Sequence, residues 1–198
     1  MKILSFVDIH GSMSAFKKIK QKAKNADIIV CGGDFTIFEQ GIDHFLSVFD
    51  KLKKPFLIIH GNHEEDDIIR HLCKKHKNLF FLHKNHFVKD DILFLGWGGG
   101  GFSLRDREFE KHSKKFEELI KKNNDKAVVL VTHAPPYNTK LDLIVRGHHG
   151  NKSFTDFIKK NKIDLVLCGH LHENEGKMDK IGISTVINPG PYGRVINL

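Results

Sequence analysis

The sequence predicts a mixed α/β fold, on three observations. Apolar runs of strand length alternate with stretches of helical periodicity through the first half of the chain. Runs such as Ile28-Ile29-Val30 and Val128-Val129-Leu130-Val131 are apolar on both faces, as strands covered on both sides are. The tail holds strands with no helix between them, and a second sheet packed on the first accommodates both halves.

In order, the first half reads as strand 2–8, helix 12–24, strand 27–31, helix 41–53, strand 55–60 and helix 64–77. Right-handed crossovers and a parallel sheet are expected there. Short strands follow at 79–82, 87–89 and 92–96, then helix 105–122, strand 127–132, helix 153–160 and strand 164–168. Strands near 183–187 and 194–196 close the chain. There is no internal repeat or linker, and the glycine run at 98–101 is too short to separate domains. At 198 residues and 22.7 kDa, a single domain spanning 1–198 is expected.

Apolar residues make up 40% and charged residues 28%, which excludes disordered, collagen-like and coiled-coil chains. No apolar run reaches the ~18–20 residues of a membrane span. The opening stretch, Met1 to Asp8, is a strand pattern running into an acidic residue, without a signal-peptide pattern. Cys31, Cys73 and Cys168 have no metal-knuckle spacing and read as buried free thiols. A cytoplasmic location, with no membrane partner, is therefore expected. The formal charge of +8 fits lysines spread over exposed helix faces, or an anionic partner such as a nucleotide or nucleic acid.

The unusual count is 14 histidines, since imidazole is the commonest transition-metal ligand. Five strands each end in a small polar cluster: Asp8-Ile9-His10-Gly11, Gly32-Gly33-Asp34, Gly61-Asn62-His63-Glu64, Thr132-His133-Ala134-Pro135-Pro136 and Gly169-His170-Leu171-His172-Glu173. Ligands bind at the carboxyl ends of parallel strands, so five ends would deliver these groups to one place. Asp8, Asp34 and Asn62 offer oxygen, and His10, His63, His133, His170 and His172 offer imidazole. That mixture suits zinc, iron, manganese, cobalt or nickel rather than a calcium cage or a thiolate finger. Eight donors are too many for one tetrahedral ion and about right for two ions sharing a carboxylate. In an extended segment residues i and i+2 share a side, so Asp8 and His10 would grip one metal from one strand end. The glycines before Asp34, Asn62 and His170 leave room for the backbone to turn sharply. Each cluster alone could be an ordinary turn; it is their order, each after an apolar strand, that points to a site.

The ordered elements D-x-H, G-D, G-N-H-[DE], a lone H and G-H-x-H resemble the signature of the calcineurin-like metallophosphoesterase superfamily, over Asp8 to His172. The spellings Gly-Gly-Asp-Phe-Thr, Gly-Asn-His-Glu, Thr-His-Ala-Pro-Pro and Asn188-Pro189-Gly190 look like its small prokaryotic, mostly archaeal, members. The resemblance implies a four-layer α/β/β/α sandwich and two divalent transition-metal ions, manganese foremost, with iron, zinc, nickel or cobalt as alternatives. By position, Asp8, His10, Asp34 and His172 would hold one metal, and Asp34, Asn62, His133 and His170 the other. Asp34 would bridge and serve catalysis with His63, which would contact the phosphoryl group and assist the leaving oxygen. No V-D-R-G follows Asp34, which argues against a protein phosphatase and leaves open which carboxylate orients His63.

The function implied is hydrolysis of phosphodiester bonds, with phosphomonoesters as further substrates, by attack of a metal-activated hydroxide. The partner expected is a small phosphate ester, with a nucleotide in view. A nuclease, encouraged by the positive charge, and a non-catalytic scaffold of the same fold are the competing functions. His44, His71, His76, His83, His86 and His112 read as solvated. His60 reads as a supporting group beside the site. Residues 146–150, with Tyr137 and Lys140, read as either a plain exposed loop or one lining a substrate pocket, and Gly96–Gly101 with Trp97 and Phe102 as a rim loop or a turn.

Overall fold

The chain alternates as expected in the computed structural model, which describes residues 1–145 and 147–198. β1 (Lys2–Phe6), α1 (Met13–Ala23), β2 (Ile28–Cys31), α2 (Ile42–Asp50), β3 (Phe56–Ile58), α3 (Asp66–Cys73) and β4 (Leu79–Phe81) come first. β5 (Asn85–Lys89) and β6 (Ile92–Trp97) form a hairpin, followed by α4 (Arg107–Lys122) and β7 (Ala127–Thr132). A small ribbon, β8 (Leu143–Ile144) with β9 (Gly147–His148), precedes α5 (Lys152–Lys160) and β10 (Leu165–Leu167). The chain ends in β11 (Met178–Ile181), β12 (Ser184–Ile187) and β13 (Arg194–Asn197).

Two large mixed sheets result. The first has the order β13-β1-β2-β3-β4, parallel except for β13. The second has the order β11-β12-β10-β7-β6-β5, parallel except at its two edges. The period of two in each strand sorts its side chains between layers. In β2, Ile28 and Val30 enter the core between the sheets, while Ile29 and Cys31 enter the core under α1, α2 and α3. In β7, Val129 and Val131 face between the sheets, and Val128 and Leu130 pack toward α4 and α5. Three apolar cores between four layers give the α/β/β/α sandwich.

Helices α1, α4 and α5 start where a side chain satisfies a free amide group. Ser12 Oγ accepts from the Ala15 N–H at 3.2 Å, and Asp106 Oδ1 from that of Phe109 at 2.8 Å. The lysines of α1 and α4, such as Lys17, Lys18, Lys111 and Lys114, lie on exposed faces. β11 and the β8–β9 ribbon are additions to the sequence reading. Both are short, two to four residues per strand, with no apolar run long enough to announce them. The three cysteines are buried and free, as expected.

Candidate metal centre

The carboxyl ends of β1, β2 and β3 from one sheet, and of β7 and β10 from the other, meet at one edge of the sandwich. Asp8 N–H donates to the Gly33 carbonyl at 3.1 Å and His10 N–H to that of Asp34 at 3.0 Å, so the loop after β1 lies along the loop after β2. Gly169 N–H donates to the His133 carbonyl at 2.8 Å, doing the same in the second sheet. The sheets are joined by His133 Nδ1, 2.9 Å from the Gly32 carbonyl.

All eight predicted donors are brought together. His10 Nε2 lies 3.1 Å from His172 Nε2. Asp34 Oδ2 lies 3.9 Å from His10 Nε2 and 3.4 Å from His133 Nε2. Asn62 Oδ1 lies 3.1 Å from His133 Nε2 and 2.9 Å from His170 Nδ1. Three groups offer ligand atoms mutually within 4.8 Å: Asp8, His10 and His172; His10, Asp34 and His63; and Asp34, His133 and His170. Asp34 thus has partners on both sides. The donor set fits cations on its own chemistry. Asp8 Oδ1 is buried with no hydrogen-bond partner, and nitrogen lone pairs otherwise crowd one another. Distance alone does not separate His63 from the ligands, because it shares a group with His10 and Asp34.

The reason Asp8 and His10 converge differs from the sequence expectation. β1 ends at Phe6, and Asp8 and His10 both adopt left-handed backbone, with φ of 56° and 42°. They reach the site through a curled loop, not as alternate residues of an extended strand. Asp34 and His170 are also left-handed, at φ 51° and 71°. Four non-glycine residues in left-handed backbone thus fall in one small region, the kind of clustering seen at functional sites. The glycine expectation holds in detail. A Cβ on Gly33, at φ 96°, would collide with the backbone of Gly61, and one on Gly61 would collide with the Asp34 carboxylate.

A buried clamp not singled out in the sequence holds the loops. Glu64 Oε2 accepts from the backbone N–H of Asp34 and Gly61, and Oε1 from the backbone and hydroxyl of Thr36 at 2.9 and 2.8 Å. Its signal was its place directly after His63. Asp34 Oδ1 accepts from the His63 N–H at 2.9 Å, and Asp8 Oδ2 from the His170 N–H at 2.8 Å. Asn188 Oδ1 closes the last turn on the Gly190 N–H at 2.9 Å, and the Gly190 carbonyl accepts from Val7 at 3.3 Å, behind the Asp8 loop.

The electrostatics follow from burial and from the pairing of opposite charges. Burial raises Asp8 to about 6, against the pull of His133. Burial also pushes Asp34 up, but its hydrogen bond and attraction to His133 outweigh it, leaving Asp34 at about 2. Burial lowers His133, yet its bond to Asp34 outweighs this and raises it to about 9. Burial lowers His10, and takes His170 to about 4, so these rings keep their lone pairs at neutral pH.

Around the donors, Phe38 packs on His63 with ring centroids 4.5 Å apart, and Phe102 meets His170 at 4.8 Å. No carboxylate holds the His63 ring among the described residues; its Nδ1 is buried without a partner. His60 supports the glycine loop, its carbonyl accepting from Gly99 at 3.0 Å. His83 is a correction: it is buried, not solvated, with Nδ1 accepting from the Gly98 N–H at 2.8 Å and its ring against Trp97. His76 is likewise half-buried, 3.6 Å from Asp50. In the 146–150 segment, His148 is tied to the buried Asp142 at 2.8 Å and His149 stands by Phe102, while Arg146 lies outside the described residues. The Tyr137 ring packs against His148, while the Lys140 N–H is tied to Asp179 at 2.8 Å. A hollow of about 450 Å³ between β4 and β5, lined in part by Arg70, Phe80 and Phe87, lies away from the donors. No described helix is long and apolar enough to cross a membrane.

Comparison with known proteins adds three findings. The family model described as calcineurin-like phosphoesterase matches residues 1–174. An uncharacterised protein of Methanocaldococcus jannaschii, MJ1162, is 33% identical over 207 residues, covering 96% of this chain and 88% of that protein. Among solved structures, TT1561 of Thermus thermophilus superposes with a TM-score of 0.77 at 18% identity, covering 99% of this chain and 98% of that one. A dimetal phosphatase from Danio rerio superposes with a TM-score of 0.66 at 11% identity, covering 94% and 86%. At these identities the two structures establish a shared fold.

Proposed function

Because the chain belongs to the calcineurin-like phosphoesterase family, we propose that it is a two-metal phosphoesterase that hydrolyses phosphodiesters, and phosphomonoesters besides, in the cytoplasm. The observation that carries this reading is the position of Asp34, within reach of His10 on one side and His133 on the other. Asp8, His10, Asp34 and His172 hold one cation, and Asp34, Asn62, His133 and His170 the second. Manganese is the first candidate, with iron, zinc, nickel and cobalt as alternatives that the same N and O donors accept. When bound, such a pair supplies Lewis acidity and lowers the pKa of a water toward neutrality.

The chain's own groups do the rest. The Gly32 carbonyl engages His133 Nδ1, so Nε2 carries the lone pair toward Asp34 and Asn62. Asn62, a neutral donor, leaves more net positive charge beside the phosphate than a carboxylate would. Water provides the oxygen that joins phosphorus as the P–O ester bond breaks, and His63 gives the departing alkoxide its proton. Phe38, in place of a carboxylate, sets the plane of the His63 ring. The complete donor set argues against a non-catalytic scaffold. The carboxylates of Glu39 and Glu65, which line a cavity with His63, disfavour a long polyanion there and hence the nuclease reading.

The test is metal analysis of the purified protein, followed by a Mn²⁺-supplemented screen of phosphomonoesters against phosphodiesters. About two transition-metal ions per chain and turnover of diesters support the proposal. A metal-free protein without turnover after loading overturns it.

A further inference from the structure

Phe38 is 72% exposed, an unusual state for a large aromatic side chain, and it is held there at a conformational cost. Its φ is 45° and that of Glu39 is 64°, two successive non-glycine residues in left-handed backbone. The loop does not hang free. Glu39 N–H donates to Thr36 Oγ1 at 3.2 Å, and Thr36 is gripped by Glu64, the clamp that also holds Asp34. Phe38 is therefore geared to the donor cluster. Its ring is tilted by 35° over His63, and a cavity of about 140 Å³ beside the pair is lined by Phe38, Glu39, Asn62, His63, Glu64 and Glu65.

His63 is the residue assigned to the leaving oxygen, so the group attached to that oxygen emerges beside Phe38. A flat ring would stack there, as bases stack on exposed aromatics in nucleic-acid-binding proteins. The flanking Glu39 and Glu65 carboxylates repel anionic substituents and accept hydrogen bonds from N–H groups. From this juxtaposition we propose that Phe38 is a specificity residue that stacks on the leaving alcohol, and that the preferred alcohol carries a planar ring with N–H donors, as a nucleoside does. The proposal rests on the phosphoesterase reading above and adds to it the identity of the leaving group.

Two experiments test it separately. In the first, the metal-loaded protein is given the methyl diester of adenosine 5′-phosphate and the methyl diester of ribose 5-phosphate, identical at phosphorus. The nucleoside ester is expected to have at least tenfold higher kcat/KM, expressed mainly in KM. Phe38→Ala should abolish the preference with metal content retained, and Phe38→Trp should keep it. A Phe38 that only braces the His63 ring would, when removed, slow both esters equally, and that result overturns the proposal, as does equal wild-type kcat/KM. In the second, the metal-free protein is titrated with adenosine or ribose while the Phe38 ring resonances are followed by NMR. Shifts with adenosine alone support the proposal, and their absence overturns it. Hydrolysis of neither ester would refute the phosphoesterase reading and leave the stacking claim to be decided by the titration.

Discussion

Glu64 Oε2 accepts the backbone N–H of Asp34 at 3.0 Å, and the same oxygen accepts that of Gly61 at 3.1 Å. A carboxylate that is 6% exposed thus ties the loop carrying the shared ligand to the loop carrying Asn62. Burial raises its pKa, so its ionised form is retained through the four hydrogen bonds it accepts.

Glu64→Ala strands the amide groups of Asp34, Thr36 and Gly61, each at about 1–3 kcal/mol when buried without a partner. The expected loss is more than about 3 kcal/mol in urea unfolding, with metal affinity about 10–100-fold weaker, as for other groups that orient ligands. Glu64→Gln keeps one acceptor oxygen and should fall between the two. Wild-type metal affinity in Glu64→Ala would show that the clamp has no part in the site.

Gly61 makes a sharper test of how closely the two loops approach. A Cβ there would run into the Asp34 carboxylate, while one on Gly182 would meet nothing within 4 Å. Gly61→Ala should cost about 1–3 kcal/mol by overpacking and displace Asp34, with loss of bound metal. Gly182→Ala, at φ 58°, should cost only about 1–2 kcal/mol of backbone strain and leave metal content intact. Metal analysis and thermal unfolding of the pair check both outcomes.

The location of the site was legible in the sequence because ligand-type residues follow apolar strands five times. Its local geometry was not. Spacing suggested that Asp8 and His10 alternate along a strand, yet their amide groups bond to Gly33 and Asp34 and curl the chain into left-handed backbone. Such a turn comes from contact between segments 24 and 25 residues apart, which local periodicity does not register. The same holds for His83, in a Leu-His-Lys stretch without pattern, which meets the Gly98 amide just past the end of β6. Phe38 reads as one apolar residue among others, and only its exposure and its ring contact with His63 set it apart.

In the metal-free protein, His133 should make stability fall with rising pH. Its folded pKa is raised from 6.5 to about 9, with burial opposed and outweighed by its bond to Asp34. A raised histidine pKa contributes stability fully present below pH 6.5 and lost as pH rises through about 9. Metal binding needs the unprotonated ring, so cations displace that proton and protect more strongly at higher pH. Thermal unfolding in chelator from pH 6.5 to 9.5 should show a falling Tm, and the same series with Mn²⁺ a growing difference. A chelated Tm that rises over this range would contradict the His133–Asp34 pairing.

Asp34 and His63 separate ligation from proton donation. Asp34→Asn removes the charge shared between the two halves of the donor set and should lower both metal content and activity to near background. His63→Ala should reduce kcat by about 10²–10⁴-fold, the usual worth of a positioned proton donor, with both metals retained. Because His63 shares a 4.8 Å group with His10 and Asp34, the metal content of His63→Ala is the informative measurement. Loss of metal there would make His63 a ligand, and the leaving oxygen would need another proton source. The loss should also depend on the leaving group. An ester whose alcohol is already a stable anion, such as a nitrophenolate, needs little proton assistance and should be slowed least, whereas an alkyl ester should be slowed most. A uniform loss across leaving groups would place His63 on the phosphoryl oxygens instead.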